Sequence, residues 1–347
     1  MRFVAAIFAM SVVIATLPGA GHSPACADED AGAAPRITIA VTDSGLGGLS
    51  VVAAAERRLR EDGVSADIDL VFCNALFDAD SGYNSLPTRE AKVAMFDRAL
   101  AGLQAECRPD LVVIACNTLS VLYRDTEFAA SAPVPVIDIV ACGVETIASR
   151  LPVDGPGSVI VLGTETTIGE GTHKAALVAR GCAPDRIITQ ACPQLASCIE
   201  SGFDSEETTF LVDAYVAEAT GTAGALRQPL YVSLNCTHYG YAMAAWQAAF
   251  ASRDIAVAGF LDPNRSLADE VYGWLLSRGV TAAPGGVPVG RVNVRVVSMP
   301  EIATAAIASI SRRLQEESPA TAAALRDYQR RAELFSTGEL SPGVGAR

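Results

Sequence analysis

Short apolar runs of strand length recur along this chain, separated by stretches with helical periodicity, and that alternation narrows the fold more than any other feature. The runs fall at 37–42, 68–73, 111–115, 136–139, 158–162, 186–189, 230–234, 256–261 and 292–297. Their apolar residues are nearly continuous rather than alternating, the pattern of parallel strands covered on both faces. Helices are expected at 50–62, 88–106, 120–130, 167–180, 206–221, 241–252, 266–278 and 300–315. Strand and helix in this order predict an α/β fold with doubly wound, mainly parallel sheets. The chain is 50% hydrophobic but only 6% aromatic, so Ala, Val, Leu and Ile must build the core.

In such sheets ligands bind at the C-terminal ends of the strands. Four expected strands end in polar or reactive groups: Asp43-Ser44, Asn74, Cys116-Asn117-Thr118 and Cys236-Thr237-His238. The two cysteine segments mirror each other. Each is a β-prone run that delivers a cysteine, then hydroxyl and amide side chains, then a helical stretch. A thiol at that point meets the N–H groups and positive end of the next helix, which favour a thiolate over the free thiol of pKa about 8.5. A lone cysteine after a strand is commonly a small buried hydrophobe. Here both are flanked by side chains that a dry core would have to satisfy. A cysteine hydrolase could pair Cys236 with His238 but would leave Cys116 unexplained. A two-base mechanism uses both: one thiolate takes a proton from a carbon centre while the opposite thiol returns one to the other face.

The segment Asp43-Ser44-Gly45-Leu46-Gly47-Gly48-Leu49-Ser50 follows the first strand and opens the first helix. Its glycines allow backbone N–H groups to approach an anion closely. A dinucleotide fingerprint is excluded, because Ser50 stands where the third glycine is required and Asp43 would repel a pyrophosphate. Asp43 suits an ammonium, and Ser44 with nearby N–H groups suits a carboxylate, which together describe the zwitterionic end of an amino acid. His238 is read as a proton partner of Cys236. Glu200 is either the carboxylate that orients His238 or a solvated helix-end acid. Thr164 to Thr167 form a polar rim or a helix cap, and His173 is placed on a helix surface.

The formal charge of −13 and pI of about 4.7 argue against nucleic-acid or anionic-membrane binding. The expected partner is a small molecule held by local donors. The first 27 residues read as a signal peptide, with basic Arg2, an apolar run from Phe3 to Leu17 and Ala25-Cys26-Ala27 as the cleavage region. Residues 28–36 then form a flexible leader, the location is periplasmic or secreted, and Cys26 offers an alternative lipid anchor. Of nine cysteines, Cys192 and Cys198 are the pair expected to cross-link if any do. No Cys-x-x-Cys motif occurs and histidines are few, so no metal site is expected. Residues 281–290 read as a Pro- and Gly-rich loop, and 317–347 as a C-terminal helix with a disordered tail.

Asp43-Ser44-Gly45-x-Gly47-Gly48-Leu49-Ser50, Ala115-Cys116-Asn117-Thr118, Cys192-Pro193 and Asn235-Cys236-Thr237-His238-Tyr239 resemble the ordered signatures of glutamate racemase, in the aspartate/glutamate racemase superfamily. The resemblance runs from about Ile37 to Leu276. It implies a cofactor-independent isomerase with two pseudo-symmetric lobes, an active site in the cleft between them and one catalytic cysteine from each. It further implies that Asp43 assists Cys116 and His238 assists Cys236, while Ser44, Asn117, Thr118 and Thr237 hold the α-carboxylate and amino group. Residues 37–140 with 258–316 would form the first lobe and 141–257 the second. The substrate so implied is glutamate; aspartate, a hydantoin or another small acid is the rival within the superfamily, and an exported binding protein the rival outside it. A homodimer is left open. Three departures from the pattern touch substrate selection: Cys73-Asn74 replaces Ala-Asp, Gly82-Tyr83-Asn84 replaces the Pro-Tyr-Gly whose amides hold the side-chain carboxylate, and Gly240 replaces a proline.

Overall fold

The computed structural model describes residues 35–79, 81–222, 226–280 and 290–335. The expected signal peptide, the leader up to residue 34, most of the 281–290 loop and the tail from residue 336 lie outside these. Among the described residues no helix is long and apolar enough to cross a membrane.

Two parallel sheets carry the fold. The first contains β1 (Arg36–Asp43), β2 (Asp67–Asn74), β3 (Leu111–Ile114), β4 (Val136–Asp138), β9 (Val292–Ser298) and β10 (Gln329–Arg330), in the order β10-β9-β2-β1-β3-β4. The second contains β5 (Ser158–Gly163), β6 (Ile187–Ala191), β7 (Leu230–Asn235) and β8 (Gly259–Leu261), in the order β6-β5-β7-β8. In each sheet the first strand takes its successor on one side and the next two on the other. The sequences β2-β1-β3-β4 and β6-β5-β7-β8 therefore trace the same winding, and this is the pseudo-symmetry of the chain. Each has a topological switch point, between β1 and β3 and between β5 and β7, where a crevice opens at the strand ends.

Register aligns those ends. Asp43 is level with Asn74, Thr42 with Ile114, and Gly163 with Asn235. Cys116 lies two residues beyond β3 and Cys236 one beyond β7, so the cysteines occupy corresponding third-strand positions of the two sheets. Strand residues such as Ile39, Leu70, Val112, Ile160 and Val232 are fully buried, as continuous apolar runs require. One apolar core joins residues of both sheets, including Ile39, Leu162 and Leu230, and further clusters cover the outer face of each. Trp246 is fully buried and donates its indole N–H to Tyr239 O at 3.1 Å, which pins the turn after Cys236. Truncating a side chain of this size to alanine costs about 3–5 kcal/mol.

Several expectations change. The strand at 259–261, assigned above to the first lobe, pairs with β7 in the second sheet because a seven-residue connection from the helix Met243–Ala251 returns it to that edge. A single helix at 120–130 is replaced by a turn at Asn117–Ser120, a 3-10 turn at Tyr123–Asp125 and a short helix at Glu127–Ser131, where Thr126 caps a fresh start. Gly171, at φ 63°, splits the expected 167–180 helix in two. A helix at Ile139–Ala148 was not expected, and one at Leu195–Ser201 was expected only as the helix end offered for Glu200. The first is capped by Asp138, whose side chain accepts from Val140 N and Ala141 N.

Candidate active site

β1 delivers Asp43 into the turn that leads to the helix Leu49–Asp62. Asp43 is buried; its Oδ1 accepts from Ser44 N at 2.7 Å and its Oδ2 accepts from Thr237 Oγ1 at 2.7 Å. Ser44 Oγ lies 3.1 Å from Cys116 Sγ, so the ends of β1 and β3 meet across the first switch point. On the other sheet Cys236 Sγ lies 3.6 Å from His238 Nδ1, and His238 Nε2 is 2.6 Å from Glu200 Oε1. Glu200, from the helix Leu195–Ser201, also accepts the backbone N–H of Leu46. The glycine turn of one sheet thus rests on the acid–imidazole pair of the other. Proximity dictates its glycines: a Cβ on Gly47 would overlap Thr237 Oγ1 and His238 Nδ1.

The two thiols sit in different electrostatic surroundings. Burial and then the Asp43 carboxylate push the Cys116 thiol well above its usual range. This corrects the expectation of a resting thiolate there: the turn after Cys116 is only four residues long, too short a dipole to offset burial beside a carboxylate. Burial also raises Asp43, against the charge of His238 and the hydrogen bond from Thr237. For His238 burial acts downward, yet hydrogen bonds with Cys236 and Glu200 and the Glu200 charge carry its pKa well above 6.5. The shifts favour the protonated form of the imidazole beside Cys236 and of the thiol beside Asp43, so the two cysteines stand in unlike electrostatic settings.

Side chains from both sheets also meet at the rim. Thr118 Oγ1 and Thr164 Oγ1 are 2.8 Å apart. Asn84 Oδ1 accepts from Thr166 Oγ1 at 2.6 Å, and Lys92 Nζ donates to the same hydroxyl at 2.7 Å. Arg89 pairs with Glu170 at 3.0 Å and Asp125 at 2.7 Å. Asn117 is 2% exposed, and neither its Oδ1 nor its Nδ2 has a protein partner. An unpaired buried polar group costs about 1–3 kcal/mol, which makes this amide, directly after Cys116, a candidate ligand-binding group.

A family model described as Asp/Glu/Hydantoin racemase matches residues 39–260. The chain belongs to this family. It is 27% identical over 203 residues to a glutamate racemase of Chlorobaculum parvum, covering 58% of this chain and 67% of that one. It is 31% identical over 211 residues to a glutamate racemase of Syntrophus aciditrophicus, with 58% and 67% covered. Among solved structures, the glutamate racemase of Bacillus anthracis has the same fold, with a TM-score of 0.61 at 20% identity over 81% of this chain and 95% of that one. A glutamate racemase of Francisella tularensis, crystallised in complex with D-glutamate, gives 0.61 at 21% over 81% and 95%. As a member of the racemase family, the chain is an isomerase.

Within this racemase, the candidate residues divide. Asp43, Ser44, Cys116, Thr237, Cys236, His238 and Glu200 form one connected group, with Asn117 and Thr118 directly after Cys116. Tyr83 is a core residue in the same packed cluster as Cys116, with no hydrogen bond to the group among the described residues. Its ring packs edge-on against Phe77 and Phe96, and its hydroxyl donates to Ala75 O at 3.0 Å. Asn84 is exposed and engaged with Thr166. Asn74 donates to Ser298 Oγ at 3.2 Å and accepts from Leu76 N at 3.0 Å, tying β2 to β9. Gly240 stands against Asp262, whose Oδ2 a Cβ would overlap, so a larger residue there requires that carboxylate to shift. His173 is buried rather than on a surface, because Gly143 lets the helix Ile139–Ala148 close over it and Asn235. Cys192 and Cys198 are both free; among the described residues the thiols in contact are Cys73 and Cys107.

Sequence reasoning missed Asn264 and Lys92. Asn264 Nδ2 donates to Ser50 Oγ at 2.7 Å and Thr237 O at 3.0 Å, bracing both halves of the site from behind. Its signal was the Asp-Pro-Asn start of the helix Pro263–Ser277, where Asp262 caps and Pro263 leaves the next side chain near the strand ends. Nothing in the local sequence marks Lys92.

Proposed function

We propose that this protein interconverts L- and D-glutamate by two-base proton transfer at the α-carbon. The observation that carries the reading is that each cysteine, at a corresponding strand end of its own sheet, has its own proton partner. Cys116 lies against Ser44 and Asp43, and Cys236 against the His238–Glu200 pair. One sulfur, as thiolate, takes the Cα proton and becomes a thiol. The other, as thiol, gives its proton to the opposite face and becomes a thiolate. The product leaves with the two roles exchanged, so the reverse reaction starts from that state. Asp43 and His238 hold or return the proton at their respective sulfurs.

The carbanionic transition state needs fixed donors in a dry site. Asn117 supplies an amide with both ends unpaired, and Ser44 and Thr118 supply hydroxyls. These local groups must outweigh the net charge of −13, which repels a dicarboxylate. Glutamate is favoured as substrate by the relatives named above. The signal-like N-terminus supports an exported location, where a racemase would act on extracytoplasmic amino acids.

Racemisation is tested by chiral chromatography of L- and D-glutamate, with L- and D-aspartate alongside. Removing a general acid or base costs about 10²- to 10⁴-fold, so Cys116→Ser and Cys236→Ser should each lose at least a hundredfold. No turnover of any amino acid by the intact, reduced protein would favour a binding protein on the same scaffold.

A further inference from the structure

Cys73 and Cys107 lie outside the candidate site, and nothing in the proton-transfer scheme uses them. Cys73 is the penultimate residue of β2 and is buried; Cys107 ends the helix Arg89–Cys107 and is half-buried. Their sulfurs are 3.5 Å apart, across 34 positions of sequence. Cys107 also lines an open cleft of about 630 Å³ together with Arg36, Asp69, Asn293 and Arg295, whereas Cys73 does not reach it. Cys107 is thus the member of the pair that a small reagent can approach, while Cys73 is buried.

We propose that Cys73 and Cys107 form a reversible disulfide that fastens β2 to the end of the helix Arg89–Cys107. The intervening segment carries Asn74, Tyr83 and Asn84, so the link closes a loop around the rim of the site. The order of attack follows from the surroundings. The hydrogen bond with Cys73, then the Arg295 guanidinium, lower the Cys107 thiol, while the same bond and burial raise Cys73. Arg295 is itself paired with Glu106 at 3.3 Å, and Arg331 reaches the same carboxylate at 3.6 Å.

The oxidant required is a small disulfide of the glutathione class. The Cys107 thiolate attacks one of its sulfurs, forming a mixed disulfide and expelling the first thiolate. Cys73 then loses its proton and attacks the Cys107 sulfur, which forms the internal bond and expels the second thiolate. Two protein thiols are oxidised, one external disulfide is reduced to two thiols, and the two protons released end on those thiols. Cys116 and Cys236 make no sulfur–sulfur contact among the described residues. They are therefore not placed to join each other, or the outer pair, in an internal disulfide.

The test is independent of the racemase reading. The full chain is equilibrated with oxidised and reduced glutathione, quenched in acid, alkylated unfolded and mapped by mass spectrometry. The expected result is the loss of two alkylated sites, a cross-linked peptide joining Cys73 to Cys107, and full reversal by dithiothreitol. In Cys73→Ala the mixed disulfide should instead accumulate on Cys107, and in Cys107→Ala Cys73 should remain a free thiol. A stable glutathione adduct on Cys107 of the unaltered protein, a link between other cysteines, or alkylation of both residues at the same level as the rest would overturn the proposal.

Discussion

Thr237 donates a 2.7 Å hydrogen bond to Asp43 Oδ2, joining the strand-end turn of one sheet to that of the other across 194 positions of sequence. Both residues are buried, so the bond is made in surroundings where a charged or partly charged acceptor counts heavily. A hydrogen bond to a charged group contributes about 1.5–3 kcal/mol. Thr237→Val should lose stability of that order in urea unfolding at neutral pH, and Thr237→Ser should recover most of it. Equal losses in both variants would show that the methyl packing, not the hydroxyl, holds the halves together.

Glu200 raises the pKa of His238 through its hydrogen bond and charge. A folded-state pKa above the unfolded value stabilises fully below pH 6.5, and that stability is lost as pH rises through the raised pKa. In Glu200→Gln the His238 titration followed by NMR should move down toward 6.5. The stability gap between wild type and variant should be fully present at about pH 6, where carboxylates are ionised, and narrow as pH increases. An unmoved titration would assign the shift to Cys236 alone.

His173 behaves in the opposite sense, since burial pushes its pKa from 6.5 down to about 4. The unfolded chain takes up a proton near pH 6.5 while the folded one resists until about 4. Stability is therefore complete above pH 6.5 and declines as pH falls to 4, by about 3 kcal/mol at 1.36 kcal/mol per unit. His173→Gln should flatten the unfolding midpoint between pH 7 and 4.5. A wild-type slope in the variant would place the acid sensitivity elsewhere.

Much of this was legible in the chain, and the illegible parts have identifiable causes. The parallel strands showed because residues such as 111–114 are apolar on both faces and 230–234 are so except for Ser233, and the cysteines showed because each stands at the end of such a run. The helix Ile139–Ala148 was hidden by Gly143 and by β-branched Ile139, Val140 and Val144, which locally mimic a strand. Gly143 is there for close packing on His173 and Asn235, a tertiary requirement. The pairing of Glu200 with His238 could be named as one of two options, but only the packing of the helix Leu195–Ser201 brings them to 2.6 Å. The resting thiolate was misread at Cys116 because the burial that raises it, and the Asp43 carboxylate that adds to the effect, come together only in the folded sheet.

The central claim is that two sulfurs act on opposite faces of one carbon. It is tested most directly by running the reaction in D₂O from undeuterated L-glutamate and sampling at low conversion. Two separate bases require that the D-glutamate formed carries solvent deuterium at Cα while the remaining L-glutamate keeps its proton. D-Glutamate that retains the substrate proton, or L-glutamate that gains deuterium as fast as product forms, would contradict it.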